Sequence, residues 1–273
     1  MAPLWRDRGA RLGVVLLAFM TLVALAGPLV LQDPRAMPDI TTGVLQAPSG
    51  AHLLGTDHLS RDVLARVVAG ARISLAVALG AVLISVTVGA LVGLAAGYLG
   101  GTVDSVLMRS VDAALAIPRL FLLLLIVAMM EHIPLVALVV TLGTTGWLGT
   151  SRLVRAEVLR LKTLEFVRAA EALGASRRRI IFRHLLPNIA GPLAAATTLA
   201  VGDVILLEAG LSFLGLGVQP PTPSWGSMIL DSKPYLTQAP WTSLPPGLAI
   251  LLTVLAVNLI GEAMAHPSVE PPR

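Results

Sequence analysis

Six runs of mostly apolar residues, at roughly 12–31, 73–99, 113–130, 134–150, 189–212 and 245–265, decide what this chain can become. A helix needs about 20 consecutive apolar residues to cross the hydrocarbon core of a bilayer. The runs are continuous rather than alternating, which reads as helices and not as barrel strands. The first, second and last are clear. The third and fourth are separated by Glu131-His132-Ile133, with Pro134 just after, which predicts a tight hairpin. The fifth carries Asp203 and Glu208 and is weaker.

Composition agrees with this reading. Of 273 residues, 55% are hydrophobic and only 13% are charged, about half the ~25% usual in soluble domains. So little polar surface cannot cover a soluble fold. A soluble enzyme, a disordered chain and a disulfide-stapled module are excluded. The absence of Cys also removes thiolate chemistry. The expectation is an all-α polytopic membrane protein with six transmembrane helices.

Lys and Arg set the orientation. If the N-terminus is cytoplasmic, the inner segments 1–11, 100–112, 151–187 and 266–273 hold 14 of the 20 basic residues. The outer segments hold 5, and Arg119 lies within the third run. This bias places both termini on the cytoplasmic side. Arg119 is about seven residues into its run, so its stem can carry the charge back to the inner interface. Arg6, Arg8 and Arg11 before an apolar run ending in Ala24-Leu25-Ala26 resemble a signal peptide. The run continues through Gly27-Pro28-Leu29-Val30-Leu31, so a retained span is expected. The chain divides into 1–72 (first span and outer loop), 73–265 (the helical core with the long inner loop 151–187) and 266–273 (an inner tail).

The inner loop holds nine basic residues. Within it, Phe166, Ala169, Ala170 and Leu173 fall at helical spacing. Gly174 permits a left-handed turn. Ser176 can cap a second short helix, limited by Pro187. Such an element suits docking of a soluble partner, although pattern alone favours a solvated basic loop.

The residues go further than the pattern. Arg168-Ala169-Ala170-Glu171-Ala172-Leu173-Gly174-Ala175-Ser176, followed by Ile180 to Asn188, resembles the EAA loop of binding-protein-dependent ABC importer permeases. Ala169, Ala170, Gly174, Leu186 and Pro187 match at the family spacing. Arg168 stands in place of the first Glu and His184 in place of an apolar residue, while Glu171 offers a carboxylate one turn on. The stretches His52 to Leu64, Gly70 to Leu75, Leu211 to Gly217 and Pro221 to Gly226 resemble the dipeptide/oligopeptide/nickel branch, with Ser60 where the family usually has Gly. The resemblance implies a MetI-like fold in the bacterial inner membrane. It also implies a second homologous permease subunit, two cytoplasmic ABC ATPases and an extracytoplasmic binding protein. ATP and magnesium belong to the ATPases, and this chain carries no cofactor or metal of its own. The loop at Phe166, Arg168, Ala169, Ala170, Glu171, Leu173, Gly174, Ala175, Ser176, Leu186 and Pro187 becomes the element that couples to the motor. The implied cargo is a dipeptide or oligopeptide. The alternatives are nickel or another small solute, or an ATPase-independent secondary transporter, for which no internal repeat is evident.

Four other features carry weight. Gly89, Gly93 and Gly97 form a small-residue stripe suited to close helix packing. Asp203 and Glu208 are ionisable groups deep in an apolar run, and such groups line a pathway or make a packing contact. Five positions apart, they are separated by about 140° around the helix. Asp57 and Asp62 flank Arg61, which predicts a local ion-pair network, and Trp225 and Trp241 are candidate anchors or partner contacts in the second outer loop. His52, His58, His132, His184 and His266 are scattered and lack metal-ligand spacing. No catalytic residues are expected: the chain has no phosphate-binding Gly-x-x-x-x-Gly-Lys loop, nucleophile elbow or His-Glu-x-x-His helix, and no nucleic-acid partner is implied.

Overall fold

The computed structural model describes residues 7–38, 41–130 and 133–265. The expected hairpin at Glu131-His132, the tail 266–273, His266 and Arg6 lie outside the described residues. Among the described residues regular structure is helical, apart from one isolated bridge between Thr56 and Asp62. The long helices are α1 (Arg8–Val30), α2 (Val63–Leu99), α3 (Gly101–Leu115), α4 (Arg119–Ala128) and α5 (Leu135–Lys162). They are followed by α6 (Glu165–Ala172), α7 (Arg177–Arg179), α8 (Leu186–Phe213), α9 (Trp225–Ser232) and α10 (Leu244–Ala265).

Among the described residues four stretches are long and apolar enough to cross a membrane: Arg8–Gly27, Val63–Leu99, Arg177–Phe213 and Pro240–Ala265. A fifth is available if α3 and α4, bent by 79°, count as one. The expectation of six is therefore not met by length and hydropathy. The third expected run, 113–130, straddles the bend. Pro118 lacks a backbone N–H and pushes Ile117 out of the helical region, so α3 stops and α4 starts again at Arg119. The fourth expected run is the first part of α5, and that helix continues to Lys162. It is diluted by Thr141, Gly143, Thr144, Thr145, Gly146, Gly149, Thr150 and Ser151, so it falls short on hydropathy although it lies at the centre of the packing.

The most extensive helix pair is α2 with α5. A side chain added at Gly89, Gly93 or Gly97 would meet α5 directly. An added Cβ would lie 2.6 Å from Thr150 Cβ at Gly89, 2.5 Å from the Ser151 carbonyl at Gly93 and 2.8 Å from Val158 Cβ at Gly97. Gly143 of α5 returns the arrangement against Ile84. Without a hydrophobic drive between helices in lipid, this closeness is what holds two backbones together. α10 packs on α8 and α1. Between them lies the main core, with Val77, Ala78, Leu123, Leu138, Leu142, Val204, Ile205, Leu211 and Trp225 all buried. Outward-facing Leu12, Val15, Phe19 and Leu22 on α1, and Leu248, Leu251 and Leu255 on α10, are exposed large apolar residues, as expected where lipid is the solvent.

α2 begins at Val63 and runs unbroken through position 72. At about 1.5 Å per residue its 37 residues extend about 55 Å, well beyond the ~30 Å hydrocarbon core. Its N-terminal end is tied down ionically. Arg61 Nε meets Asp57 Oδ2 at 2.7 Å, and Arg66 Nη2 meets Asp231 Oδ2 of α9 at 3.1 Å. Asp62 is not part of that network. It caps α2 by accepting from the Ala65 N–H at 2.8 Å and pairs with His52 at 2.8 Å. Ser60 has φ +58°, the left-handed backbone that favours glycine. Trp225 is not a partner contact: it is fully buried, and its Nε1–H donates to the Val67 carbonyl at 3.0 Å. Trp241 rests on the outer loop, its Nε1–H donating to the Thr56 carbonyl at 3.4 Å.

Candidate functional site

The segment 151–187 is packed at its base and exposed at its tip. α6 ends in a Schellman motif: the Ala175 N–H donates to the Ala170 carbonyl at 3.0 Å and the Gly174 N–H to the Glu171 carbonyl at 2.9 Å. That closure needs a left-handed residue after the helix. Gly174 supplies it with φ +77°, and a Cβ there would meet nothing within 4 Å. Glycine is thus required by conformation and not by space. Ser176 caps the next helical turn by accepting from the Arg179 N–H at 3.4 Å. The second short helix does not stop at Pro187. It passes through a π-helical turn, Ile180–Leu185, and continues into α8, where Pro187 sits in the first turn. Its missing N–H falls where the wider π-helical turn hands over to the α-helical ladder.

Underneath, Val154, Val158 and Leu161 of α5 form a second buried core with Val167, Ile180, Leu185 and Ile189. Val167 pins α6 to this core, and the sequence reading missed it. Its signal was a β-branched apolar residue in a short helix whose other residues are charged, aromatic or alanine. Above it, Leu173 is 88% exposed, Phe182 is 64% exposed and Phe166 is 43% exposed. Arg168, Ala169 and Glu171 are also exposed, Ala170, Ala175 and Leu186 are half-buried, and Ser176 and Pro187 face outward. Phe166 lies 6.1 Å from the His184 ring, and Arg178 sits 6.0 Å over Phe182.

The nine basic residues of this segment fall into two groups. Arg155 grips Asp104 of α3 through Nε and Nη2 at 2.5 and 2.6 Å, and that hydrogen bonding raises its already high pKa. Arg152 pairs with Asp112, Arg160 with Glu157, and Lys162 donates to the Tyr98 carbonyl at 3.0 Å, closing the end of α2. Among the described residues Arg168, Arg177, Arg178, Arg179 and Arg183 have no ion pair. They leave a positively charged, apolar-tipped surface.

The two intramembrane carboxylates lie apart. Glu208 is fully buried. Ser74 of α2 donates to its Oε2 at 2.9 Å and Ser212 to its Oε1 at 2.7 Å. Asp203 is exposed on the opposite side of α8, in a cavity of about 290 Å³ shared with Ser85, Arg119, Gly146, Thr150 and Leu153. Arg119 does not reach back to the interface. Its Nη2 donates to the Leu142 carbonyl at 2.8 Å and its Nε to Thr145 Oγ1 at 3.4 Å. The bend at Pro118 turns the start of α4 toward α5, which is why the side chain finds a carbonyl before it finds water.

Residues 89–266, which contain the loop and all of the cavity lining but Ser85, match the family model described as binding-protein-dependent transport system inner membrane component. The chain belongs to this family. As a family member it is similar along almost its whole length to curated proteins. It is 38% identical over 263 residues to the dipeptide transport system permease protein DppC of Alkalihalophilus pseudofirmus, covering 95% of this chain and 84% of that one. It is 42% identical over 262 residues to a putative peptide permease protein of Brucella suis, covering 95% and 86%. It is 34% identical over 272 residues to the oligopeptide transport system permease protein OppC of Bacillus subtilis, covering 96% and 88%. This family member is therefore an inner-membrane component of a transport system, with several apolar helices to seat it there.

Proposed function

We propose that this chain is one permease subunit of an ATP-driven importer that moves dipeptides or oligopeptides across the cytoplasmic membrane by alternating access. The loop Phe166–Ser176 docks on a cytoplasmic ATPase, and a second permease and an extracytoplasmic binding protein complete the assembly. Both termini then lie in the cytoplasm. Relatives named as dipeptide and oligopeptide permeases support the cargo class. The observation that carries the coupling role is the contrast within one short helix: Val167 is fully buried in a core shared by α5 and α8, while Leu173 one end away is 88% exposed. A protruding apolar tip is a contact waiting for a partner, and a rigid base passes its displacement to the spans. The five unpaired arginines fit an acidic docking cleft.

The test is made in proteoliposomes containing the assembled complex. Leu173→Asp puts a charge where a partner's apolar cleft should close. Gly174→Val forces a β-branched residue into the left-handed region and breaks the Schellman closure. Each is expected to lower peptide uptake at least tenfold while the permease inserts and folds normally, with ATP hydrolysis no longer responding to the loaded binding protein. Wild-type uptake in both variants would show that the loop is not the coupling element.

A further inference from the structure

The cavity beside α8 holds two charges of opposite sign on facing walls, and neither is neutralised by the other. Asp203 belongs to a stretch long and apolar enough to cross the membrane. An ionisable group at that depth needs a partner or a water-filled space. Among the described residues no hydrogen bond or ion pair reaches its carboxylate, and it lines the same cavity as Arg119. Arg119 is held in place. Two of its five N–H groups are spent on Leu142 and Thr145, so three remain for something else. Gly146 makes room for it, because a Cβ there would lie 2.8 Å from Arg119 Nη2. The remaining lining is small or apolar: Gly149, Ala196, Leu199, Ala200 and Val204.

We propose that this cavity binds a short zwitterionic peptide within the membrane, with Asp203 taking its ammonium group and Arg119 its carboxylate. The pairing chemistry is direct: guanidinium on carboxylate and carboxylate on ammonium are charge-assisted bonds, and they strengthen away from water. About 290 Å³ is at the lower end of small-molecule sites, which run from about 300 Å³ upward, and a dipeptide is the peptide length that suits it. The small side chains of α5 and α8 make the walls tolerant of peptide side chains, and the two charges give the orientation. This inference rests on the proposed function and narrows it to a residue pair and a peptide length.

The experiment uses the assembled complex in lipid nanodiscs without binding protein, so that selection upstream cannot intervene. The probe is alanyl-photoleucine, a dipeptide whose diazirine side chain cross-links on illumination. Cross-links are expected on α8 between Leu199 and Val204 or on α5 between Gly149 and Leu153. Unlabelled alanyl-alanine should compete, whereas N-acetyl-alanyl-alanine and alanyl-alanine amide, each missing one terminal charge, should compete at least tenfold less well. Asp203→Asn and Arg119→Gln should each lower labelling at least tenfold. Asp203→Asn keeps the fold in play, since among the described residues no hydrogen bond or ion pair depends on its carboxylate. Arg119→Lys, which keeps charge but loses the fork, should recover part of it. Equal competition by the blocked peptides, full labelling in Asp203→Asn, or no labelling of the wild type would each overturn the site. If labelling fails while the wild-type complex still imports dipeptides in proteoliposomes, this site is wrong and the functional reading stands. If no peptide is imported, the functional reading falls, and this site falls with it.

Discussion

A carboxylate surrounded by apolar helices is stable only when its oxygens are occupied. Glu208 meets that condition with two hydroxyls, Ser74 Oγ at 2.9 Å and Ser212 Oγ at 2.7 Å, and Ser212 in turn accepts from the Val218 N–H at 3.1 Å. Three elements thereby converge on one side chain: α2, α8 and the turn before α9. Glu208 and Asp203 look alike in the sequence, as two acids in one apolar run. The 140° between them is the only hint that they diverge, and the packing turns that angle into two different environments. Glu208→Gln should be tolerated, because rotating one serine hydroxyl lets it accept from the new amide. Glu208→Ala removes the acceptor for two buried hydroxyls, at about 1–3 kcal/mol per unsatisfied group. Thermal unfolding in detergent should show the Ala variant clearly destabilised and the Gln variant close to wild type. Equal stability of all three would mean that the serines are satisfied without Glu208.

At the scale of helices, what the sequence revealed depended on how local the cause was. The ends of α1 and α10 were legible within a few residues because lipid contact demands nothing beyond a continuous apolar run. Gly174 was legible because a left-handed turn has one preferred residue. The bend between α3 and α4 was harder, since Pro118 lies inside an otherwise apolar stretch and hydropathy averages over it. α5 was legible only in its first half. A helix packed through Gly, Thr and Ser looks polar to a hydropathy scale, although those small residues are why α2 can approach. The junction into α8 was read as a stop at Pro187, because sequence alone does not distinguish a helix end from a π-helical turn that continues. The α2–α5 contact makes a sharp prediction. Gly93→Val places atoms against the Ser151 carbonyl and Val154 Cβ, at 2.5 and 2.7 Å for the first carbon alone. Backbone cannot yield there, so the folded yield in membranes should fall severalfold. Gly191→Ala, where an added Cβ meets nothing within 4 Å, should be neutral or stabilising by up to about 1 kcal/mol. Comparable yields of Gly93→Val and wild type would show that α5 is not seated on this stripe.

Taken whole, the molecule has two cores that do different work. The larger one fastens α2, α4, α5, α8, α9 and α10 to each other. The smaller one fastens the loop to the C-terminal end of α5 and the N-terminal end of α8, and the same two helices wall the cavity that holds Asp203. On the proposed function, a push on the exposed tip at Leu173 reaches the cavity through this smaller core and along the helix that runs from Arg177 into α8. Two side chains of one loop should therefore fail in distinguishable ways. Leu173→Asp leaves the core intact and breaks the outside contact. Val167→Ala leaves the outside contact intact and removes buried methyl groups from the joint, at about 1–3 kcal/mol of local packing. The expected result for Val167→Ala is ATP hydrolysis that still responds to the loaded binding protein, with severalfold fewer peptides moved per ATP consumed. Hydrogen exchange should rise in Glu165–Leu185 and not in α2. An unchanged ratio of peptide to ATP, despite faster exchange in the loop, would mean that motion reaches the spans by another route, and the rigid joint would then have no part in coupling.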